Sequence, residues 1–194
     1  SIVAPVNNQK IGHFTLTANT TEDVNLSTID IDFTDTGSFD ASDDLTNLYV
    51  KYGDKTTSTK ASVTDSNNSW SMNYTLSAGS TINIEVYANI GANAGSSTSD
   101  TLRADIRIDG TTTSSSTAVY GTAEGQTITA ASGTFSAVVA GGTPVAQVVT
   151  GNQTITTAQF NWTAINESYT IKNVTVSLGS GVSEIVGKAI LKDG

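Results

Sequence analysis

The chain has 194 residues, a formal net charge of −9 and an isoelectric point near 4.3. Nucleic acid and anionic lipid are excluded as partners on that balance, because both are held by neutralising Lys and Arg. The absence of cysteine excludes a thiol nucleophile and a disulfide-stapled domain, and no stretch reaches the roughly 20 apolar residues that a membrane-crossing helix needs, so no direct membrane insertion is expected.

Taken in chain order, the apolar residues alternate with period two and nowhere follow helical spacing. Strands are expected at 2–6, 11–18, 24–33, 46–52, 59–64 and 69–76, the last aligning Trp70, Met72, Tyr74 and Leu76 on one face. The clearest run is "TINIEVYANI" (81–90), which sets Ile82, Ile84, Val86, Ala88 and Ile90 against Asn83, Glu85, Tyr87 and Asn89. Next come 101–109, with Leu102, Ala104, Ile106 and Ile108 inward, then 117–122, 126–130 and 133–140. Beyond the joint "AGGTP" (140–144) four more are expected, at 145–150, 155–164, 170–178 and 186–192. Short strands broken by Gly, Asn, Asp and Ser clusters predict an all-β, antiparallel β-sandwich. Thr suits the outer face, since its β-branch favours the strand while its hydroxyl meets water.

The part after the joint reads as a second copy of the start. Phe14, Thr17 and Ala18 align with Phe160, Thr163 and Ala164. After a one-residue slip Val24, Leu26, Ile29, Ile31 and Phe33 align with Tyr169, Ile171, Val174, Val176 and Leu178. Lys51 then falls opposite Lys192, and Gly53 opposite Gly194. Two unrelated alternating segments would also look alike, but a shared register over several strands favours duplication. The expected organisation is one complete module over 1–140, a linker over 141–144, and the first strands of a homologous module over 145–194. A half-finished sandwich exposes its inner face and its edges. It is expected either to belong to a longer tandem array or to be completed by a neighbouring subunit.

Little in the sequence can do catalysis. The single histidine, His13, lies beside Phe14 on an expected strand and is read as facing solvent, and no Gly-x-Ser-x-Gly elbow, His-Glu-x-x-His pair or phosphate-binding loop is present. The expectation is no enzyme. The most specific chemical feature is "IDIDFTDTGSFDASDD" (29–44): Asp30 and Asp32 share a strand face, and Asp35, Asp40, Asp43 and Asp44 follow in a loop with Gly37. Hard oxygen ligands on a bend are what Ca²⁺ takes, so these six are candidate Ca²⁺ ligands and Ca²⁺ the one candidate cofactor. The spacing is not that of an EF-hand loop. The competing reading is a solvated loop whose aspartates cap turns.

Three surface features remain. Asn-x-Ser/Thr sequons begin at Asn19, Asn25, Asn67, Asn73, Asn152, Asn161, Asn166 and Asn173, which makes a glycoprotein plausible in a secretory setting. Tyr49, Tyr87 and Trp162 are candidate exposed aromatics for binding surface glycans. Lys51 and Lys192 sit mid-strand, where a buried lysine could crosslink to Asn, but both alternate outward.

The phrase "GGTPVAQVVTGNQTITTAQFNWTAINESYTIKNVTVSL" resembles the tandem Ig-like repeats of large prokaryotic cell-surface and surface-layer proteins. There a T-P-x-x-Q-x-V-x-G lead-in precedes a strand of the form F-x-x-T-A-x-N-E. The resemblance covers residues 143–178 well and 1–33 only loosely. It implies an Ig-like sandwich and a structural, extracellular role as a layer subunit, stalk or fibre that assembles with copies of itself or with neighbouring modules. Two alternatives stay open: a pilus-like filament polymerising by strand complementation, and an adhesin or carbohydrate-binding module.

Overall fold

The computed structural model describes residues 1–95, 100–177 and 186–192. In chain order the elements are β1 (Ile2–Ala4), β2 (Val6–Thr17), β3 (Val24–Thr36), the one-turn helix α1 (Ala41–Asp44), β4 (Leu45–Tyr52), β5 (Lys55–Thr56), β6 (Lys60–Ser62), β7 (Asn68–Leu76), β8 (Thr81–Ile90), β9 (Thr101–Thr112), β10 (Ala118–Glu124), β11 (Ile128–Ser132), β12 (Thr134–Val139) and β13 (Phe160–Ile165).

Two sheets enclose one core. The first runs β1-β11-β9-β3-β7, with β10 also paired to β9; the second runs β2-β8-β4-β5, with β6 also paired to β4. Pairing is antiparallel except between β1 and β11. At Pro5, which has no N–H to give a ladder, the chain leaves the first sheet for the second. Ile29, Ile31 and Leu102 of one layer meet Leu48, Val50, Ile84 and Val86 of the other, all below 2% exposed. Each such side chain contributes roughly 1.5–3 kcal/mol by leaving water. The outer faces carry hydroxyl and amide pairs, among them Thr17 with Thr81 (2.8 Å), Thr36 with Thr101 (2.6 Å) and Thr75 donating to Asn25 (2.7 Å).

The all-β expectation holds, and so do the inward faces read for β7, β8 and β9. Several bounds shift. β2 reaches back to Val6, where bulges between Val6 and Gln9 and between Lys10 and Gly12 break the strict alternation, and β3 runs on to Thr36, because β9 pairs with it as far as Thr101.

The larger difference lies after β11. β12, expected to finish the first module, forms a separate two-stranded ribbon with β13, in register from Thr134 opposite Ile165 to Val139 opposite Phe160. Residues 145–150, 170–177 and 186–192 carry no strand. Alternation tells which way a side chain would face, but a strand forms only where a neighbouring edge accepts its hydrogen bonds. Leu178, the loop 179–185 and Gly194, part of the expected repeat, lie outside the described residues, as do residues 96–99 of the expected loop at 91–100.

Candidate functional site

The aspartate-rich loop is built as a plug for one end of the sandwich. Gly37 turns the chain with φ +80, and Phe39 and Ala41 enter the core at 3% and 0% exposure. Burying this bend leaves its backbone N–H groups in need of acceptors, and nearby carboxylates supply them. Asp100 accepts from Ser38 N (2.7 Å), Asp44 from Asp40 N (3.1 Å) and Asp35 from Ala41 N (2.9 Å). Asp40 caps α1 by accepting from Ser42 N (2.9 Å) and Ser42 Oγ (2.7 Å). The Ser42 hydroxyl, followed by its N–H, holds the Asp40 carboxyl below its ordinary pKa.

The six aspartates singled out as Ca²⁺ ligands are therefore distributed over different tasks. Asp30 lies cross-strand from Arg107, on the same outward-alternating face of β3 as Asp32, which accepts from Asn67 N (2.7 Å). Asp35, Asp40 and Asp44 hold the loop's own amides, and Asp43 is exposed. Among the described residues no three acidic or histidine side chains converge on a common point. The bonds of Asp35, Asp40 and Asp44 to loop amides are those that the turn-capping reading expects. Sequence reasoning missed the fully buried Asp100 as a partner of the loop. The apolar Phe39 within an acidic stretch was the available signal.

The outer face of β2, β8 and β4 gathers a second group of titratable side chains. His13 is exposed and paired in register with Glu85. Lys10 Nζ lies 3.0 Å from Glu85 Oε1, and the Tyr87 hydroxyl donates to Glu85 Oε2 at 3.0 Å. Both bonds lower the Glu85 pKa; the bond to Glu85 and its charge raise that of Lys10, and partial burial and then Glu85 raise that of Tyr87. Tyr49 and Tyr87 stack at 5.2 Å and 6°, with Lys51 Nζ 4.7 Å from the Tyr87 centroid and 6.0 Å from that of Tyr49. The Tyr49 hydroxyl donates to Asn8. Ring faces that a sugar would stack on are turned to each other and to Lys51, and Trp162 sits in a different sheet, on β13. Lys51 is exposed, as its alternation indicates.

A cleft of about 460 Å³ opens at the opposite end of the sandwich, floored by Leu16, Val24, Leu26, Leu76 and Ile108 and walled by Val119 and Tyr120. On its rim Glu22 accepts from Ser114 N (2.9 Å), Ser115 N (3.0 Å) and Ser115 Oγ (2.7 Å). The Ser115 hydroxyl and these amides hold the Glu22 pKa low. Among the described residues β2 pairs only with β8 and β10 only with β9, so each presents a free edge there.

The ribbon has one apolar face. The register places Phe135, Ala137 and Val139 of β12 beside Ala164, Trp162 and Phe160 of β13 on one side, and Thr134, Ser136, Val138, Asn161, Thr163 and Ile165 on the other. All twelve are exposed. Phe135 lies 6.3 Å from Trp162 and 5.6 Å from Tyr169. A cleft of about 310 Å³ separates this face from the segment carrying Tyr169, Ile171 and Val174.

No family model, curated protein or solved structure matches this chain.

Proposed function

We propose that this chain is a structural protein of the cell surface, built of Ig-like β-sandwich modules that assemble with copies of themselves or with neighbouring modules into a layer, stalk or fibre. One observation carries the reading. The sandwich core is closed, whereas among the described residues from Phe135 to Leu191 seventeen large apolar side chains stay exposed, Val145 at 83% and Val148 at 101%. Monomers seldom leave contiguous apolar patches beyond a few hundred Å² in water. Hydroxyl-rich outer faces suit a surface-exposed protein, and all eight sequon asparagines are exposed, as a glycan requires. A non-catalytic role fits an exposed His13 and carboxylates spent on backbone amides.

Sedimentation velocity of the full chain over a dilution series tests the proposal. Growth of larger species with concentration is expected; a monomer at every concentration would contradict it.

Strand complementation is a second reading with support of its own. The cleft beside the free edges of β2 and β10 lacks a strand, and 145–150, "VAQVVT", is a strand-like segment that lacks a partner. A labelled peptide spanning 143–152 should bind the full chain, and Leu16→Arg should abolish that binding. An unaltered anisotropy would remove this reading. Glycan binding receives less support, because the stacked tyrosines offer no open ring platform.

A further inference from the structure

We infer that the apolar face of the β12–β13 ribbon is the contact between copies, and that its occupant is the same face of a second molecule, packed across a twofold axis. The inference rests on the assembly proposed above and names the surface and the partner.

Chemistry selects the face. Six of six residues on it are apolar, whereas the reverse face mixes Thr, Ser and Asn with Val138 and Ile165. Phe135 is 47% exposed, Val139 63%, Phe160 58% and Trp162 40%. A fully buried aromatic covers roughly 150–250 Å², so three half-exposed rings offer on the order of 300 Å². Val139, Tyr169, Ile171 and Val174 bring the apolar area to about 600 Å² per copy. A twofold pair then buries about 1,200 Å², the lower bound for a specific interface. The surface offered to the second copy includes both walls of the cleft, the ribbon face and the segment with Tyr169, Ile171 and Val174.

Charge selects the partner. Residues 1–132 hold six basic and fifteen acidic residues, a net of −9, while residues 133–194 hold three of each and are neutral. Two sandwiches brought together repel; two ribbons do not. A self-complementary apolar patch on the neutral part of an otherwise acidic chain suits an isologous contact, and aromatic anchors at its centre are where binding energy concentrates.

The consequence for salt is opposite to that of a charge-paired interface. Screening relieves the repulsion between the two acidic sandwiches, so association tightens as salt rises. Light scattering of the full chain across concentration and salt, on wild type, Trp162→Asp, Phe160→Asp and the reverse-face control Val138→Asp, tests this. Trp162→Asp and Phe160→Asp are expected to weaken association by about thirty-fold or more, while Val138→Asp leaves it within about threefold. Trp70, the remaining tryptophan in Trp162→Asp, reports by its fluorescence that the sandwich stays folded. Association that persists in both aspartate variants, or that weakens with salt, would overturn the ribbon contact and leave the assembly reading intact. A wild type that is monomeric throughout would overturn both.

Discussion

Asn68 is 2% exposed and uses its whole amide. Its Nδ2 donates to Ile31 O (3.0 Å) and Thr64 O (2.6 Å), and its Oδ1 accepts from Thr64 N (3.1 Å) and Thr64 Oγ1 (3.2 Å). Asn68→Leu leaves those backbone groups without a partner, so a loss of about 2–4 kcal/mol is expected by urea denaturation. Alternation alone places position 68 inward, yet nothing local says that an amide there has four partners. They come from the 64–66 turn and from β3, and only the assembled fold shows them. Exposed carboxylates give a pH prediction of known sign. Glu22, Asp40 and Glu85 have folded pKa values below their ordinary ones. The stability they contribute is full above the unfolded pKa, about 4, and is lost as pH falls through the folded values. Their solvent exposure keeps each contribution small. Glu22→Gln should flatten the acid side of the stability profile followed by thermal melting, and an unchanged slope would show that the Ser114–Ser115 contacts add nothing.

At the scale of the element, β8 and β12 make a useful contrast. β8 was legible to the residue, because Ile82 to Ile90 alternate without a bulge and both neighbours, β2 and β4, are supplied. Ile84→Ala should therefore cost about 2–5 kcal/mol, whereas Val148→Ala, at a fully exposed site, should leave the denaturation midpoint unchanged. The same period-two signal in 145–150 and 170–177 gave strands that the structure lacks, because period fixes a face and not a partner. The pairing of β12 with β13 across residues 140–159 was likewise invisible to local pattern. The acidic loop shows a third limit: the pattern groups its six aspartates, but only the fold shows that Asp44 and Asp35 accept from the amides of Asp40 and Ala41, and that Asp100, far along the chain, accepts from Ser38. The expected outcome of a Ca²⁺ titration is an unchanged melting temperature, and a rise would restore the ion-binding reading of the loop. Gly37 is fixed by the same bend. A Cβ there would stand 2.2 Å from Asp100 Oδ1 on a backbone at φ +80, so Gly37→Ala should cost about 1–3 kcal/mol.

On the scale of the whole molecule, the chain divides its properties between two regions. The acidic sandwich hides its apolar residues behind hydroxyl-rich faces, and the neutral region after it leaves them in water. That division is legible in the sequence as charge, since fifteen of eighteen acids precede residue 133. The face that results is not, because it depends on which strand β12 meets. If copies meet through the ribbon, backbone amides of Thr134–Val139 and Phe160–Ile165 should become protected when molecules associate. The most direct measurement is amide hydrogen exchange on dilute and concentrated samples of the full chain. The account predicts slower exchange in those two strands, with β2 and β10 unchanged. Slower exchange along the free edges of β2 and β10, with the ribbon unaffected, would contradict it.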